Sequence, residues 1–212
     1  MNELDIPAYL TISQATNAAY FLWLKPSKDY PYDRGLCNDI QVKSVKLSDL
    51  TVISPAHQEV ECLHGELTLM SQKVISRSST NFTKPCSCPV AIEFGDGVAN
   101  KTYLFWCDDD GNGISYSTTN TLGNTWTTAI SIQEKTGGQG TKEKTSPCVA
   151  VFENKLYLFW VGSGNDGIWY TTTQDGLSWR KQTRVDISMS VKGQTSPCVA
   201  VFENKLYLFW VG

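Results

Sequence analysis

The chain is 212 residues long, 41% hydrophobic and only 18% charged, with a formal net charge of −3. A hydrophobic share of that size can build a sizeable core, and the acidic balance excludes nucleic acid as an expected partner. No run approaches eighteen apolar residues, so no membrane span is expected.

Met1 to Leu10 has neither a basic n-region nor an apolar h-region, so no signal peptide is read and the location expected by default is cytoplasmic. The cysteines are Cys37, Cys62, Cys86, Cys88, Cys107, Cys148 and Cys198. An odd number in a long chain argues for reduced thiols over a disulfide framework. Cys86-Ser87-Cys88 lacks a second Cys or His pair at zinc-ligand spacing. Without a signal peptide, the sequons at Asn81 and Asn100 are expected to stay idle.

Taken in chain order, the elements repeat. Tyr9–Ser13 (YLTIS) is followed by Tyr20–Trp23 (YFLW), and Val60–Ser71 (VECLHGELTLMS) follows the same plan with Ser71 in place of Trp. Pro89–Phe94 (PVAIEF) precedes Lys101–Trp106 (KTYLFW). Thr145–Gly162 (TSPCVAVFENKLYLFWVG) then recurs without change as Thr195–Gly212. The marker position falls at Trp23, Ser71, Trp106, Trp160 and Trp210, spaced by 48, 35, 54 and 50 residues. Internal repetition of this period means that one supersecondary unit is stacked several times.

Within one unit every signal is β. Val149–Phe152 is a short strand and Glu153-Asn154-Lys155 a tight turn. Leu156–Val161 is an apolar, aromatic run too short for a buried helix, which suits a strand buried on both faces. Gly164-Asn165-Asp166-Gly167 is a second hairpin turn. Ile168–Thr173 is a third strand, and Ser178–Ile187 supplies a fourth. Four antiparallel strands in about 50 residues is the period of a propeller blade. The expected fold is therefore all-β, a β-propeller or propeller fragment of four-stranded antiparallel blades. It has about four to five units in a single repeat domain, 1–212. The units are 7–54, a degraded one at 55–85, 86–141, 142–191 and a half blade at 192–212. The half blade leaves an apolar edge, Leu206–Val211, so the expectation is either a longer repeat protein of which this is a part or, for a chain stable alone, a homo-oligomer joined through open edges.

The turn Thr173-Gln174-Asp175-Gly176-Leu177-Ser178-Trp179, with Asn120–Trp126 as a poorer copy, resembles the Asp-box (BNR) turn of sialidase-like propellers, a group that includes lectins. In that family the Asp caps turn N–H groups and the Trp is core, so the resemblance implies a propeller and is silent on chemistry. Sialidase chemistry would need three Arg around a carboxylate, and the chain's four, Arg34, Arg77, Arg180 and Arg184, form no readable triad.

Three groups of residues are candidates for function. Asp108-Asp109-Asp110-Gly111-Asn112-Gly113 spaces Asp108, Asp110 and Asn112 as a Ca²⁺ loop would, but position 12 is Thr119, and a polar hairpin turn is the favoured reading of the run. Trp169 departs from the repeat, where the sister unit has Ser115. With Asn165 and Asp166 beside it, Trp169 suits a sugar-stacking platform, and inter-blade packing is the alternative. Cys148 and Cys198 are expected to be buried and unpaired with each other. No cofactor is expected beyond that Ca²⁺. The resulting expectation is a non-enzymatic, lectin-like protein that binds glycans at repeated sites. The alternatives are a protein-interaction scaffold and a sialidase-like glycoside hydrolase.

Overall fold

A computed structural model describes the backbone of four strands between residues 7 and 74. It also describes most of residues 88–212, apart from 96–99, 109–112, 120–125, 139, 166 and 186–189. The first sheet takes β1 (Pro7–Ser13), β2 (Ala18–Pro26), β3 (Asn38–Lys46) and β4 (Gln72–Val74) in that order. The second takes β5 (Val90–Gly95), β6 (Asn100–Cys107), β7 (Ile114–Thr119) and β8 (Ile130–Ser131). The third takes β9 (Cys148–Phe152), β10 (Lys155–Val161), β11 (Ile168–Thr173) and β12 (Thr183–Arg184). The hairpin β13 (Cys198–Phe202) and β14 (Lys205–Phe209) follows.

Every pairing within these sheets is antiparallel. The all-β expectation and the four-stranded antiparallel unit are both met. β4 pairs with β3, so the first sheet extends past residue 54 into the span read as a separate unit; residues 55–71 lie outside the described residues. The fourth strand expected over Ser178–Ile187 is described as two residues long, Thr183–Arg184, after a turn at Asp175–Ser178 that the Asp175 side chain holds.

The first strands of the sheets lie side by side: β1 against β5, β5 against β9, β9 against β13. The sheets thus stack in sequence order around their inner strands. A hydrogen-bond ladder links the residues that lead into those strands. The N–H of Cys88 donates to Ser146 Oγ at 3.1 Å, and the N–H of Ser146 donates to Ser196 Oγ at 2.8 Å. Each bond joins equivalent positions of successive sheets.

Local chemistry explains the hairpins. Glu153 and Asn154 both have positive φ, at 47° and 56°, and Glu203 and Asn204 repeat this at 46° and 54°. Two consecutive left-handed residues make the primed turn whose twist matches a two-residue hairpin. Between β8 and the third sheet lies α1 (Ile132–Thr136), which the β periodicity hides. Its signal is Ser131-x-x-Glu134, a capping pattern: Ser131 Oγ accepts the Glu134 N–H at 3.4 Å.

The core lies between sheets. Tyr103, Phe105 and Tyr116 of the second sheet face Leu156, Leu158, Trp160 and Trp179 of the third. Phe159, Val161 and Ile168 of the third join Val199, Leu206 and Leu208 of the last hairpin. The recurring Trp106 and Trp160 are buried, as packing of repeated units requires.

Candidate functional site

Asp108 follows β6 directly and closes the β6–β7 hairpin, its N–H donating to the Gly113 carbonyl at 2.9 Å. Its carboxylate is buried, and the buried Ser115 hydroxyl donates to Oδ2 at 3.2 Å. Thr141 Oγ1 donates to the same Gly113 carbonyl at 3.3 Å, and Gln133 Oε1 accepts the Ile114 N–H at 2.7 Å. The hairpin end is therefore tied down by the segment that crosses to the third sheet. Gly162 takes the place of Asp108 there, closing its hairpin on Gly167 at 2.9 Å.

The structure thus brings together two residues assigned to different sites, Asp108 and Ser115. Of the calcium candidates, Asp110 and Asn112 lie outside the described residues, and the Asp108 carboxylate is engaged inward by Ser115. Among the described residues no group of three or more His, Cys, Asp or Glu could hold a metal.

Trp169 occupies the register position of Ser115, opposite Trp160 as Ser115 is opposite Trp106. Its ring is half-buried and packs against the core between the second and third sheets. This is the packing role that stood as the alternative to sugar stacking. Asp166 and the Asn165 side chain lie outside the described residues.

One residue was missed. Glu93 sits on the inner strand β5, opposite Thr102, where the third sheet has Val151 opposite Leu156. An acid replacing a valine in a repeat was the signal available. Asn100 Nδ2 donates to Glu93 Oε1 at 2.7 Å. Glu93 is the acidic side chain carried by the described inner strands.

The turn after β11 is built around Asp175, whose Oδ1 accepts the N–H groups of Ser178 at 2.7 Å and Leu177 at 2.8 Å and the Thr173 hydroxyl at 2.9 Å. Thr173 Oγ1 in turn accepts the Gly176 N–H at 2.9 Å. The Ser178 and Leu177 N–H groups hold the Asp175 carboxyl well below the usual carboxylate range. Trp179 then reaches the preceding sheet, lying 5.9 Å from both Phe105 and Tyr116. Burial raises the Tyr116 hydroxyl, the negative Asp175 adds to the rise, and the Trp179 indole opposes it. In the second sheet, residues 120–125 lie outside the described residues, but Thr127 donates to the Thr118 carbonyl at 2.9 Å just as Arg180 donates to that of Thr172.

Cys148 and Cys198 are both free thiols and are not bridged to each other. The expectation that both are buried is corrected: Cys148 is half-buried and Cys198 exposed, since among the described residues the hairpin that carries Cys198 packs against the third sheet alone. Burial pushes the Cys148 thiol well above its ordinary range, and Cys198 adds to the shift.

No family model matches the chain, and no curated protein matches it. Solved structures share its fold. A glycosyl hydrolase from Bacteroides ovatus aligns with a TM-score of 0.51 and 10% identity over 96% of this chain and 59% of its own. A structure from the GH130 family of mannoside phosphorylases, described as containing glycoside hydrolases that target β-1,2 mannosidic linkages in Candida mannan, aligns with a TM-score of 0.53 and 10% identity over 96% and 59%. The chain therefore spans about three fifths of the length of either, and the likeness is one of fold. It corrects the expectation of a non-enzymatic protein: both neighbours are enzymes of glycosidic bonds. No helix among the described residues is long and apolar enough to cross a membrane.

Proposed function

We propose that this chain is a propeller module that acts on glycans by cleaving glycosidic bonds. The observation that carries the reading is the stack of four-stranded sheets around adjoining inner strands, in the fold of solved glycoside hydrolases. Inner strands that converge from several sheets can set carboxylates around one ligand. Glycoside hydrolysis uses such a pair, one as acid and one as base or nucleophile. Glu93 on β5 is the carboxylate we assign to this work, with the Asn100 amide fixing its orientation. The substrate class we assign is a neutral glycan, since the four arginines of the sequence make no readable carboxylate-binding triad.

The test is turnover of a panel of aryl glycosides and of β-1,2-linked mannosides, each with and without inorganic phosphate. Release of sugar or sugar phosphate is the expected result. Glu93→Gln should lower kcat by about a hundredfold or more, as loss of an acid or base group does. A chain that turns over none of the panel removes the proposal. Turnover that Glu93→Gln leaves unchanged removes the residue and keeps the activity.

A further inference from the structure

The second and third sheets follow one plan, so they can be compared position by position. On the side of the second sheet that packs against the third, Tyr103, Phe105 and Tyr116 have Tyr157, Phe159 and Tyr170 as counterparts. The other side departs from the plan. Glu93 stands where the third sheet has Val151, Thr102 where it has Leu156, and Ser115 where it has Trp169. Each replaces an apolar side chain by a polar one, and all three fall on the same side. Ser115 bonds to Asp108, and Glu93 accepts from the Asn100 amide. Thr102 is different. It is 2% exposed, and its Oγ1 makes no hydrogen bond among the described residues. A buried hydroxyl without a bond costs stability and calls for an explanation. Leu156, fully buried, shows that an aliphatic side chain fills the same place in the repeat. Packing therefore does not require the hydroxyl.

Its place in the sheet says what it serves. Thr102 lies directly opposite Glu93, and Asn100 lies two residues earlier on β6, opposite Gly95. Directly opposite residues on one side of a sheet have Cβ atoms about 4.5–5.5 Å apart. The Glu93 carboxylate can thus reach Asn100 or Thr102 by turning its own torsions. Asn100 is exposed, at the first position of β6, and Thr102 is buried inside the strand. We propose that Thr102 is a positioning residue for Glu93: when a glycan covers the inner strands, the carboxylate leaves the Asn100 amide and takes the Thr102 hydroxyl. The inference rests on the reading of Glu93 as the acting carboxylate. In water the half-buried carboxylate keeps its hydration and the exposed amide. A bound glycan excludes that water, and a carboxylate without water needs a donor from the protein. The hydroxyl opposite supplies it from inside the sheet, where a hydrogen bond is stronger for being shielded.

The test is turnover of the aryl glycoside panel by Thr102→Val, which keeps the shape and loses the hydroxyl, by Thr102→Ala, and by Thr102→Ser, which keeps the hydroxyl. Thr102→Val should melt no lower than the unmutated chain. Its kcat should fall at least fivefold with KM within twofold, Thr102→Ala should lose as much, and Thr102→Ser should stay within twofold of the unmutated kcat. In a Glu93→Gln chain, Thr102→Val should cost nothing further, because the hydroxyl acts through the carboxylate. A kcat that Thr102→Val leaves unchanged overturns the proposal and keeps the activity. So does a loss that Thr102→Ser shares, or one that persists undiminished in Glu93→Gln. If both variants without the hydroxyl unfold, the hydroxyl is structural and the proposal falls. An unmutated chain that turns over nothing removes the reading of Glu93 and this inference with it.

Discussion

The indole of Trp179 stands edge-on to the ring of Phe105, centroids 5.9 Å apart and planes at 88°, across the boundary between two successive sheets. The Asp175 turn therefore works on the sheet before its own as well as within its own. Trp179→Ala should cost about 3–5 kcal/mol, the range for deleting a buried aromatic. In a double-mutant cycle with Phe105→Leu, about 0.5–1.5 kcal/mol of that should appear as coupling. Urea unfolding measures both, and a cycle with no coupling would mean that the two rings act independently.

Gly176 carries the same lock. Its φ of 72° is left-handed, and a Cβ placed there would overlap the Tyr103 hydroxyl of the preceding sheet. Gly176→Ala should destabilise by about 2–3 kcal/mol, combining the left-handed penalty of roughly 1–2 kcal/mol with the displacement of Tyr103. Tyr103→Phe removes the overlapping oxygen, so the double variant should recover part of the loss. If the double variant is no better than the sum of the singles, the contact is not the cause.

Asp175 sets an acid dependence. Its folded carboxyl lies below the unfolded value of about 3.9, so its contribution is fully present above about pH 4. As pH falls, the unfolded state binds the proton first, and stability is lost progressively towards the folded value. The group is exposed, so the contribution is set at about 1 kcal/mol, the size of a lost cap. Asp175→Asn should therefore lower stability by about that amount at neutral pH and flatten the decline below pH 4. Guanidinium unfolding at pH 7 and pH 3 checks it, and parallel curves for the two proteins would show that Asp175 carries no linkage.

Much of the fold was legible because the repeat is carried by side chains that face other units. Ile168–Thr173 was read to the residue, since its β-branched and aromatic residues stand between the turn signals Gly164–Gly167 and Asp175-Gly176. The two-residue turn at Glu153-Asn154 was read as tight, and only its left-handed geometry had to be seen. What failed was local structure set by side-chain bonds. Asp175 and Thr173 shorten the fourth strand, and Ser131 starts a helix where the repeat promises none. The site was less legible. Trp169 departs from the repeat, yet its ring packs into the core, while Glu93, an equal departure, keeps a polar head on an inner strand. Sequence shows that a position varies and not which face it serves. Burial in the final copy was equally hidden, since it depends on what stands next to the hairpin.

The duplicated segments offer a matched pair for the last prediction. Trp160 and Trp210 have the same eighteen-residue context, but Trp160 is 0% exposed and Trp210 is 39% exposed. Trp160 lies opposite Trp169 on β11 and within the core between the second and third sheets. Trp210 follows the end of β14, which pairs with β13 alone among the described residues. Trp160→Ala should cost about 3–5 kcal/mol as a cavity in a filled interface. Trp210→Ala should cost about 1 kcal/mol or less, because much of its surface already meets water. Urea unfolding of both variants at one protein concentration measures the difference. Equal losses would mean that the last hairpin is enclosed as fully as its duplicate.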